Sequence, residues 1–476
     1  MLLGQTATYF AANVFSAAFG LVNVMLFTRL FAPAEFGTYA LGVGFAAIAS
    51  TFLTTWLRLP IMRLQARGDG TDVRGILAPG LLLSCLLVPF VYLGTLAAGL
   101  DNGPALAAAG LALAIALFET SQDLLRARLQ AFTAMKATIL RAVMISVLGV
   151  AVTLLGRAGG LLLVSSALAY GLAAWAFGRE AWGGTIVCFD RARLLGLAKA
   201  GLPLTVSLTL LALSTVIDRF IIARLIGPGA AGQYTAGADL VRQALIIPAV
   251  SAAAAFFPLA VQIHANQGRD AVRIHLDECF EFLLALMLPA CVGFAVVSPH
   301  LAAVILGADF REVAATVMPI VAIAIVFHVM SSQYLHISFL LSERNSFFLL
   351  NTGSALVVNV VVSILLIEHL GVIGAAWGRL AAEIFGFLGA LVLTRWAFPM
   401  PVPYLRMMRV LIATIVMAIV VRSLELALSL TDRDALATLL PAGIVSYLAM
   451  CWLLDIAKSR RRLSRGLLIL RNALAR

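Results

Sequence analysis

The sequence predicts an all-α polytopic membrane protein, with about fourteen transmembrane helices arranged as two six-helix lobes plus two extra helices. Composition is the first observation: 62% of the 476 residues are hydrophobic and 12% are charged, whereas a soluble domain is about 45–50% apolar and about 25% charged. The chain has too few charged residues to form the water-exposed surface of a soluble protein of this size. A soluble enzyme, a disordered chain and a nucleic-acid-binding protein are therefore excluded, despite the net charge of +11.

Long unbroken apolar runs are the second observation, because a helix that spans the bilayer core needs about 17–25 apolar residues. Barrel strands would instead alternate with a period of two. Fourteen spans are predicted, with twelve as the alternative. They cover 8–30, 37–57, 76–98, 104–125, 137–156, 160–178, 201–223, 233–260, 279–302, 313–341, 347–367, 374–396, 410–430 and 435–454.

The distribution of Lys and Arg is the third observation, since basic residues favour cytoplasmic loops. With the N-terminus in the cytoplasm, 25 of the 34 basic residues fall in inward segments, among them Lys136 and Arg141, and four lie within helices. Both termini are therefore predicted to be cytoplasmic. The tail 455–476 combines arginines with leucines at helical spacing, which predicts an amphipathic helix on the anionic inner leaflet.

The predicted outward loops are about ten residues or shorter, so none could house a catalytic domain. No C-x-x-C, metal-ligand spacing, Walker loop or nucleophile elbow occurs in the sequence. We therefore expect no metal, no cofactor and no enzymatic activity. Residues 1–8 hold no Lys or Arg, which argues against a cleavable signal peptide.

The sequence repeats itself at an offset of 195 residues. Residues 29–42 and 224–237 both read R-L-x-x-P-x-x-x-G-x-Y-x-x-G, which is six matches in fourteen positions. Pro and Gly favour a tight turn, and the tyrosine is interpreted as an amphipathic anchor at the membrane interface. Each copy is therefore predicted to end one helix and begin the next.

The offset equals six predicted helices, so the lobes would be parallel repeats related by an axis along the membrane normal. This predicts an N-terminal lobe over 1–178, a cytoplasmic linker over 179–200 and a C-terminal lobe over 201–397. Helices 13 and 14 would follow over 398–454, before the basic tail. Such repeats are typical of transporters whose substrate site lies between the halves, with a duplication that does not transport as the alternative.

Several segments carry a family resemblance: the two repeated turns, residues 216–219 before the second turn, 305–310 and 370–376. On these residues the chain resembles the polysaccharide transport (O-antigen flippase) family of the MOP exporter superfamily. That superfamily also holds the MATE drug exporters and the lipid II flippases. The resemblance covers nearly the whole chain.

The resemblance implies two lobes that form a V around a central cavity facing one side of the membrane at a time. It implies an undecaprenyl-diphosphate-linked oligosaccharide as substrate, moved from the inner to the outer leaflet for export of O-antigen, capsule or exopolysaccharide. The expected location is the bacterial inner membrane. Expected partners are this substrate and membrane lipids, with a polysaccharide polymerase and glycosyltransferases as further contacts and no nucleic acid.

Ionisable residues inside predicted helices are functional candidates, because each costs about 3 kcal/mol on insertion scales. Asp218 and Arg219 in predicted helix 7 form the clearest set, and the offset of 195 aligns Asp218 with Asn23 of helix 1. Adjacent residues point about 100° apart on a helix, so each is expected to find a partner elsewhere. Substrate binding in the cavity and a structural ion pair between the lobes both remain open.

Two further pairs lie within predicted helices. Asp239 and Arg242 are spaced i, i+3, and Arg379 and Glu383 are spaced i, i+4, so each pair can form within its own helix. Local neutralisation and contact with substrate both remain open for these four residues. The histidines of predicted helix 10 are expected to be neutral and satisfied within the bundle.

Glu119 and Asp123 are the candidates for proton coupling. They are spaced i, i+4 at the inner end of predicted helix 4, so their charges repel and the protonated form of Glu119 is favoured. Such a carboxylate could couple transport to a proton. The alternative is that Glu119 and Asp123 have no coupling role and only extend from the end of the helix to the membrane–water interface.

Arg58 and Arg63 flank Pro60 at the inner mouth of predicted helix 2. A diphosphate headgroup that enters from the inner leaflet would meet their guanidinium groups first and form charge-assisted hydrogen bonds. The alternative is that both residues only set the topology.

Two other functions are weighed against the flippase. A MATE-like, cation-coupled exporter of small molecules would favour acidic residues in its cavity, whereas several buried charges here are arginines. A membrane-embedded polysaccharide polymerase would need a large outward loop with catalytic groups, and none is predicted.

Overall fold

The structure, a computed structural model, describes residues 2–58, 73–185, 189–342, 344–428 and 430–460. These residues are nearly all helical and contain no β-strand. Within them, ten helices are long and apolar enough to cross a membrane, or up to twelve if each of two bent pairs is one span. Two more helices, Leu2–Leu30 and Pro228–Gln267, lie where spans are predicted. The predicted fold class is confirmed.

The chain divides into two compact units, of which the first contains residues 1–240, 306–310 and 363–375. Its helices are α1 (Leu2–Leu30), α2 (Pro33–Arg58), α3 (Val73–Cys85), α4 (Val88–Ala97), α5 (Asn102–Ala127), α6 (Ala131–Leu155), α7 (Gly159–Ala176), α8 (Gly178–Trp182), α9 (Arg191–Ser214), α10 (Ile217–Leu225) and the start of α11 (Pro228–Gln267). The two helices α3 and α4 are together apolar enough to cross a membrane, and they bend by 41° at the break between them.

Small residues let the helices of the first unit approach closely. Ala46 and Ala49 of α2 pack with Ala108 and Ala112 of α5, and all four are buried. On the same helix, a Cβ at Gly42 would overlap the side chain of a leucine on α7. Close packing of this kind drives helix association in a bilayer, where apolar side chains gain little by leaving the lipid.

The segment predicted as a polar linker, 179–200, is partly helical, because it contains α8 and the start of α9. Leu194 of α9 is buried against Leu57 and Leu77 of the first unit. The predicted helix 7, 201–223, is two helices, since α9 ends at Ser214 and α10 begins at Ile217.

Both copies of the repeated motif end one helix and begin the next, as predicted. The first copy joins α1, which ends at Leu30, to α2, which begins at Pro33. The second joins α10, which ends at Leu225, to α11, which begins at Pro228. Proline suits the first position of a helix, where its missing N–H has no partner to lose.

The two turns contact each other inside the first unit. A Cβ on Gly37 would overlap the carbonyl oxygen of Pro228, and a Cβ on Gly232 would overlap the carbonyl oxygen of Pro33. The two glycines are equivalent positions of the repeat, as are the two prolines, so the contact is reciprocal. Only glycine permits so close an approach of backbone to backbone.

The second unit contains residues 241–305, 311–362 and 376–476. It holds the rest of α11 and most of α12 (Arg269–Ile305), α13 (Ala308–Val329), α14 (His336–Leu341), α15 (Asn345–Leu370), α16 (Val372–Thr394), α17 (Tyr404–Ala427) and α18 (Asp432–Leu453). A π-helix, Met330–Leu335, joins α13 to α14. The helices α17 and α18, which were predicted as helices 13 and 14, pack on α12 around Val297, Met417 and Leu439.

Candidate functional site

Arg58, the last residue of α2, bonds both predicted proton-coupling residues. Its Nε donates to Asp123 Oδ2 at 2.6 Å, and its Nη2 donates to Glu119 Oε2 at 3.2 Å. The other oxygen of Asp123 accepts from Arg126 Nη1 at 3.3 Å. The i, i+4 spacing places the two carboxylates on one face of α5, so a single guanidinium reaches both.

This Arg58 cluster, formed by Arg58, Glu119, Asp123 and Arg126, holds two positive and two negative groups and is neutral overall. Each of the four side chains is partly exposed. The repulsion expected between the two carboxylates is offset because Arg58 lies between them. A proton on either carboxylate would remove one of the two ion pairs that hold Arg58.

A cavity of about 560 Å³ adjoins the Arg58 cluster within the first unit. Its wall on α2 is polar, and its wall on α9 is mostly apolar. The lining residues are Thr51, Thr55 and Arg58 of α2, Asp123 of α5, and Leu208, Leu211, Ala212 and Thr215 of α9 with its cap. Hydroxyl groups and a guanidinium on one wall can bind an anion, and the apolar wall can contact hydrocarbon.

Asp218 and Arg219 each pair with a residue of another element, as predicted. Arg219 Nη2 lies 2.8 Å from Asp239 Oδ1, and Arg219 Nη1 donates to the carbonyl oxygen of Ala40 at 3.4 Å. Tyr234 donates its hydroxyl to Asp218 Oδ2 at 3.1 Å. Asp218 and Arg219 are only 4% and 7% exposed, so both charges are buried in the first unit.

The break before α10 helps to place Asp218. The carboxylate lies in the first turn of α10, where the free N–H groups and the helix dipole stabilise a negative charge. Tyr234, the tyrosine of the second repeated turn, is 4% exposed and bonds Asp218. Its interpretation as an anchor at the membrane interface is therefore wrong, because its hydroxyl satisfies a buried carboxylate.

Asn23, the predicted counterpart of Asp218, accepts a hydrogen bond from Ser146 Oγ through its Oδ1 at 2.6 Å. The first repeat therefore has a neutral polar pair where the second has a charged residue. Asp239, for which the sequence predicts Arg242 as a local partner, forms an ion pair with Arg219. Arg242 lies one turn further along α11.

In the second unit, Arg379 and Glu383 of α16 form the local ion pair that their spacing predicts, at 2.6 Å. His328 of α13 adds a contact that the sequence did not predict, with its Nδ1 3.2 Å from both oxygens of Glu383. The histidine lies next to the π-helix Met330–Leu335, an irregularity that is frequent at functional sites.

Two predictions fall outside the described residues: the role of Arg63 and the amphipathic helix of the tail beyond residue 460. Among the residues that the structure describes, no group of three or more His, Cys, Asp or Glu could hold a metal ion.

One polar residue of the first unit has a position that the sequence reasoning missed. Arg141 was counted among the inward residues that set the topology, but it lies in the third turn of α6 and bonds Ser16 and Tyr170. The signal that could have found it is compositional, because no Asp or Glu occurs in α1, α6 or α7.

The chain matches the sequence model of a family described as "Polysaccharide biosynthesis protein" over residues 2–264. No functionally curated protein matches it. Among solved structures, the lipid II flippase MurJ in an inward closed conformation has a TM-score of 0.81 at 15% identity, over 94% of this chain and 98% of that chain.

Two multidrug-type transporter structures are also similar. An inward-facing MATE family transporter of the MOP superfamily has a TM-score of 0.55 at 18% identity, over 83% of this chain and 95% of its own. A Vibrio cholerae MATE transporter has a TM-score of 0.56 at 16% identity, over 83% and 96%. The chain therefore belongs to the polysaccharide biosynthesis protein family, and it has the polytopic membrane fold of MurJ and the MATE transporters of the MOP superfamily.

Proposed function

We propose that this protein is a flippase that moves an undecaprenyl-diphosphate-linked oligosaccharide from the inner to the outer leaflet of the bacterial inner membrane by alternating access. It acts as a transporter rather than an enzyme, with both termini in the cytoplasm. Family membership and fold support the class of function. The residues of the Arg58 cluster support the substrate.

The observation that carries the proposal is the engagement of Arg58 by two carboxylates at the wall of a cavity. A diphosphate, like a carboxylate, offers a pair of anionic oxygens that one guanidinium can bind through two parallel hydrogen bonds. Arg58 can therefore hold either its own carboxylates or the diphosphate of the substrate. The two states exclude each other, because one guanidinium fork cannot serve both partners.

Protonation provides the exchange between these states. When Glu119 or Asp123 takes up a proton, the ion pairs of Arg58 weaken and its guanidinium becomes available to the diphosphate. When the substrate leaves, the carboxylate loses its proton and binds Arg58 again. Arg126 bonds Asp123, so when Glu119 takes up the proton Asp123 keeps an ion-pair partner.

The buried ion pair of Arg219 and Asp239 is assigned to the path of the headgroup beyond this cavity, together with Asp218, Asn23 and Arg242. Arg379 and Glu383 are assigned the same role in the second unit. Unpaired phosphate charges in hydrocarbon cost tens of kcal/mol by Born estimates, so paired guanidinium groups are needed along the path.

The lipid tail stays in the bilayer while the headgroup crosses. With a negative interior, each negative charge moved outward gains about 2.3 kcal/mol per 100 mV of membrane potential. The potential therefore drives export of a diphosphate in the proposed direction. A polymerase and glycosyltransferases are the proposed neighbours, since they consume and supply the substrate.

The test is a flipping assay in reconstituted vesicles that contain fluorescent undecaprenyl-diphosphate-linked oligosaccharide. Wild-type protein is expected to move the lipid faster as the pH falls, because protonated carboxylates release Arg58. The variant Glu119→Gln is expected to flatten this pH profile. Identical profiles would remove Glu119 as a coupling residue, and vesicles no faster than protein-free ones would overturn the proposed function.

A second arm tests the buried path with the double variant Asp218→Ala, Arg219→Ala. With Asp239→Asn added, so that the carboxylate that pairs with Arg219 is neutral as well, the variant is expected to fold and to lose flipping. Wild-type flipping by this variant would remove both residues from the substrate path, and a small cationic drug transported in place of the lipid would favour an exporter instead.

A further inference from the structure

Arg141 is held by three side chains inside the first unit. It is the eleventh residue of α6, about 15 Å from the start of that helix. Its Nη2 donates to Ser16 Oγ of α1 at 2.8 Å, and its Nη1 donates to the hydroxyl of Tyr170 on α7 at 3.2 Å. These bonds fix the guanidinium between three helices.

Two aromatic rings fix the plane of the same guanidinium. Its central carbon lies 5.3 Å from the ring centre of Phe118 and 5.1 Å from that of Tyr170. The two rings meet edge to face, with centres 5.4 Å apart. Both distances are within the range of cation–π attraction, so Arg141 is oriented without help from a carboxylate.

The surroundings of Arg141 supply no counter-charge. Its own helix α6 and the neighbours α1 and α7 contain no Asp or Glu. The fourth neighbour, α5, contributes Glu119 and Asp123, and both of these bond Arg58. In the part of the chain that the structure describes, no ion pair joins Arg141 to a carboxylate.

One donor of Arg141 is unused. Its Nε is buried and has no hydrogen-bond partner, although a buried donor left without a partner costs about 1–3 kcal/mol. The arginines 58, 219 and 379 all have carboxylate partners. An arginine that keeps its charge inside an apolar bundle without such a partner is poised for an anion from outside the chain.

We infer that Arg141 forms an anion site of its own in the first unit, distinct from the Arg58 cluster, and that its ligand is a phosphoryl group. A guanidinium binds phosphate oxygens through parallel hydrogen bonds. The inference rests on the proposed function only in naming a lipid diphosphate as the natural source of this group.

The experiment measures binding of farnesyl diphosphate and of inorganic diphosphate to the purified full chain by isothermal titration. It is run at pH 8 for every variant. Arg141→Gln is expected to weaken binding about tenfold or more, since it removes both the positive charge and the parallel N–H donors of the guanidinium. Arg141→Lys keeps the charge and loses the parallel donors, so it is expected to weaken binding less.

The matched control is Arg157→Gln, which removes the same charge from an exposed residue just beyond the end of α6; its affinity should stay within about twofold of wild type. Binding of farnesyl diphosphate alone identifies a lipid headgroup as the source, and binding of both probes identifies the phosphoryl group itself. Equal affinities of wild type, Arg141→Gln and Arg141→Lys would overturn the inference, as would a wild type that binds neither probe. The assay requires no transport, so its failure is separate from failure of the flipping assay.

Discussion

Arg58 and Arg141 lie in the same compact unit, but their surroundings are opposite. Arg58 bonds two carboxylates, and its cluster carries no net charge. Arg141 is held by hydroxyl groups and aromatic rings and keeps its positive charge. A compensated arginine can change partners when a carboxylate is protonated, whereas an uncompensated arginine provides a permanent positive charge. The difference separates a site suited to exchange from a site suited to capture.

The strongest test of this comparison removes a compensated arginine from a buried pair. In Arg219→Gln, the ion pair between buried Arg219 and partly exposed Asp239 is lost, and we expect a loss of about 3 kcal/mol in the free energy of unfolding, the lower end of the range for breaking a buried pair. Denaturation in detergent followed by circular dichroism measures it. Adding Asp239→Asn should recover part of the loss, and a single variant as stable as wild type would show that the pair is not needed for folding.

Removal of Arg58 should act on transport more than on stability. A hydrogen bond to a charged group contributes about 1.5–3 kcal/mol, so Arg58→Gln, which loses the guanidinium that binds the diphosphate, is expected to slow flipping by about tenfold or more. The double variant Arg58→Gln, Glu119→Gln keeps Asp123 paired with Arg126, so it keeps the cluster neutral and serves as the folding control. Restored flipping in that double variant would mean that Arg58 only neutralises the carboxylates.

A substitution that contacts neither arginine tests whether anion binding at Arg141 depends on the overall packing of the first unit. Gly37→Ala forces a methyl group against the carbonyl oxygen of Pro228, and we expect it to cost about 1–3 kcal/mol of stability. Gly110→Ala is the matched control, since a Cβ there meets open space and should stabilise α5 slightly. Diphosphate affinity of folded Gly37→Ala should equal that of wild type; a loss would link the turns to Arg141.

The smallest effect is expected from Arg141 itself in the absence of ligand. Arg141→Gln loses two hydrogen bonds to neutral groups but also removes a charge without a carboxylate partner, so its stability should stay within about 1 kcal/mol of wild type. The same denaturation assay measures this. A loss as large as that of Arg219→Gln would show that Arg141 has a structural role comparable to a buried ion pair.

The sequence predicts the helices well because a span through lipid has no alternative to a long apolar helix. It does not predict the break between Ser214 and Ile217, since no proline or glycine marks the position and the predicted span 201–223 runs through it without interruption. The start of α9 at Arg191 was also missed, because its first residues are polar and read as a linker.

The candidate site is predicted in part. The spacing of Glu119 and Asp123 shows that they share a helix face, and the insertion cost of Asp218 and Arg219 marks them as special. Their partners depend on which helices pack side by side, which periodicity within one helix does not encode. Arg141 was missed for a simpler reason: a basic residue five positions after Lys136 is typical of an inward loop.

The reciprocal contact of the two repeated turns has an evolutionary consequence. Gly37 meets Pro228 just as Gly232 meets Pro33, which is the pattern of an isologous dimer, where each subunit presents the same patch to its twin. Fusion of two copies of one ancestral half-length chain would place these turns together without any new contact. Such an ancestor would have needed glycine at this position once, and the fused gene must keep it twice.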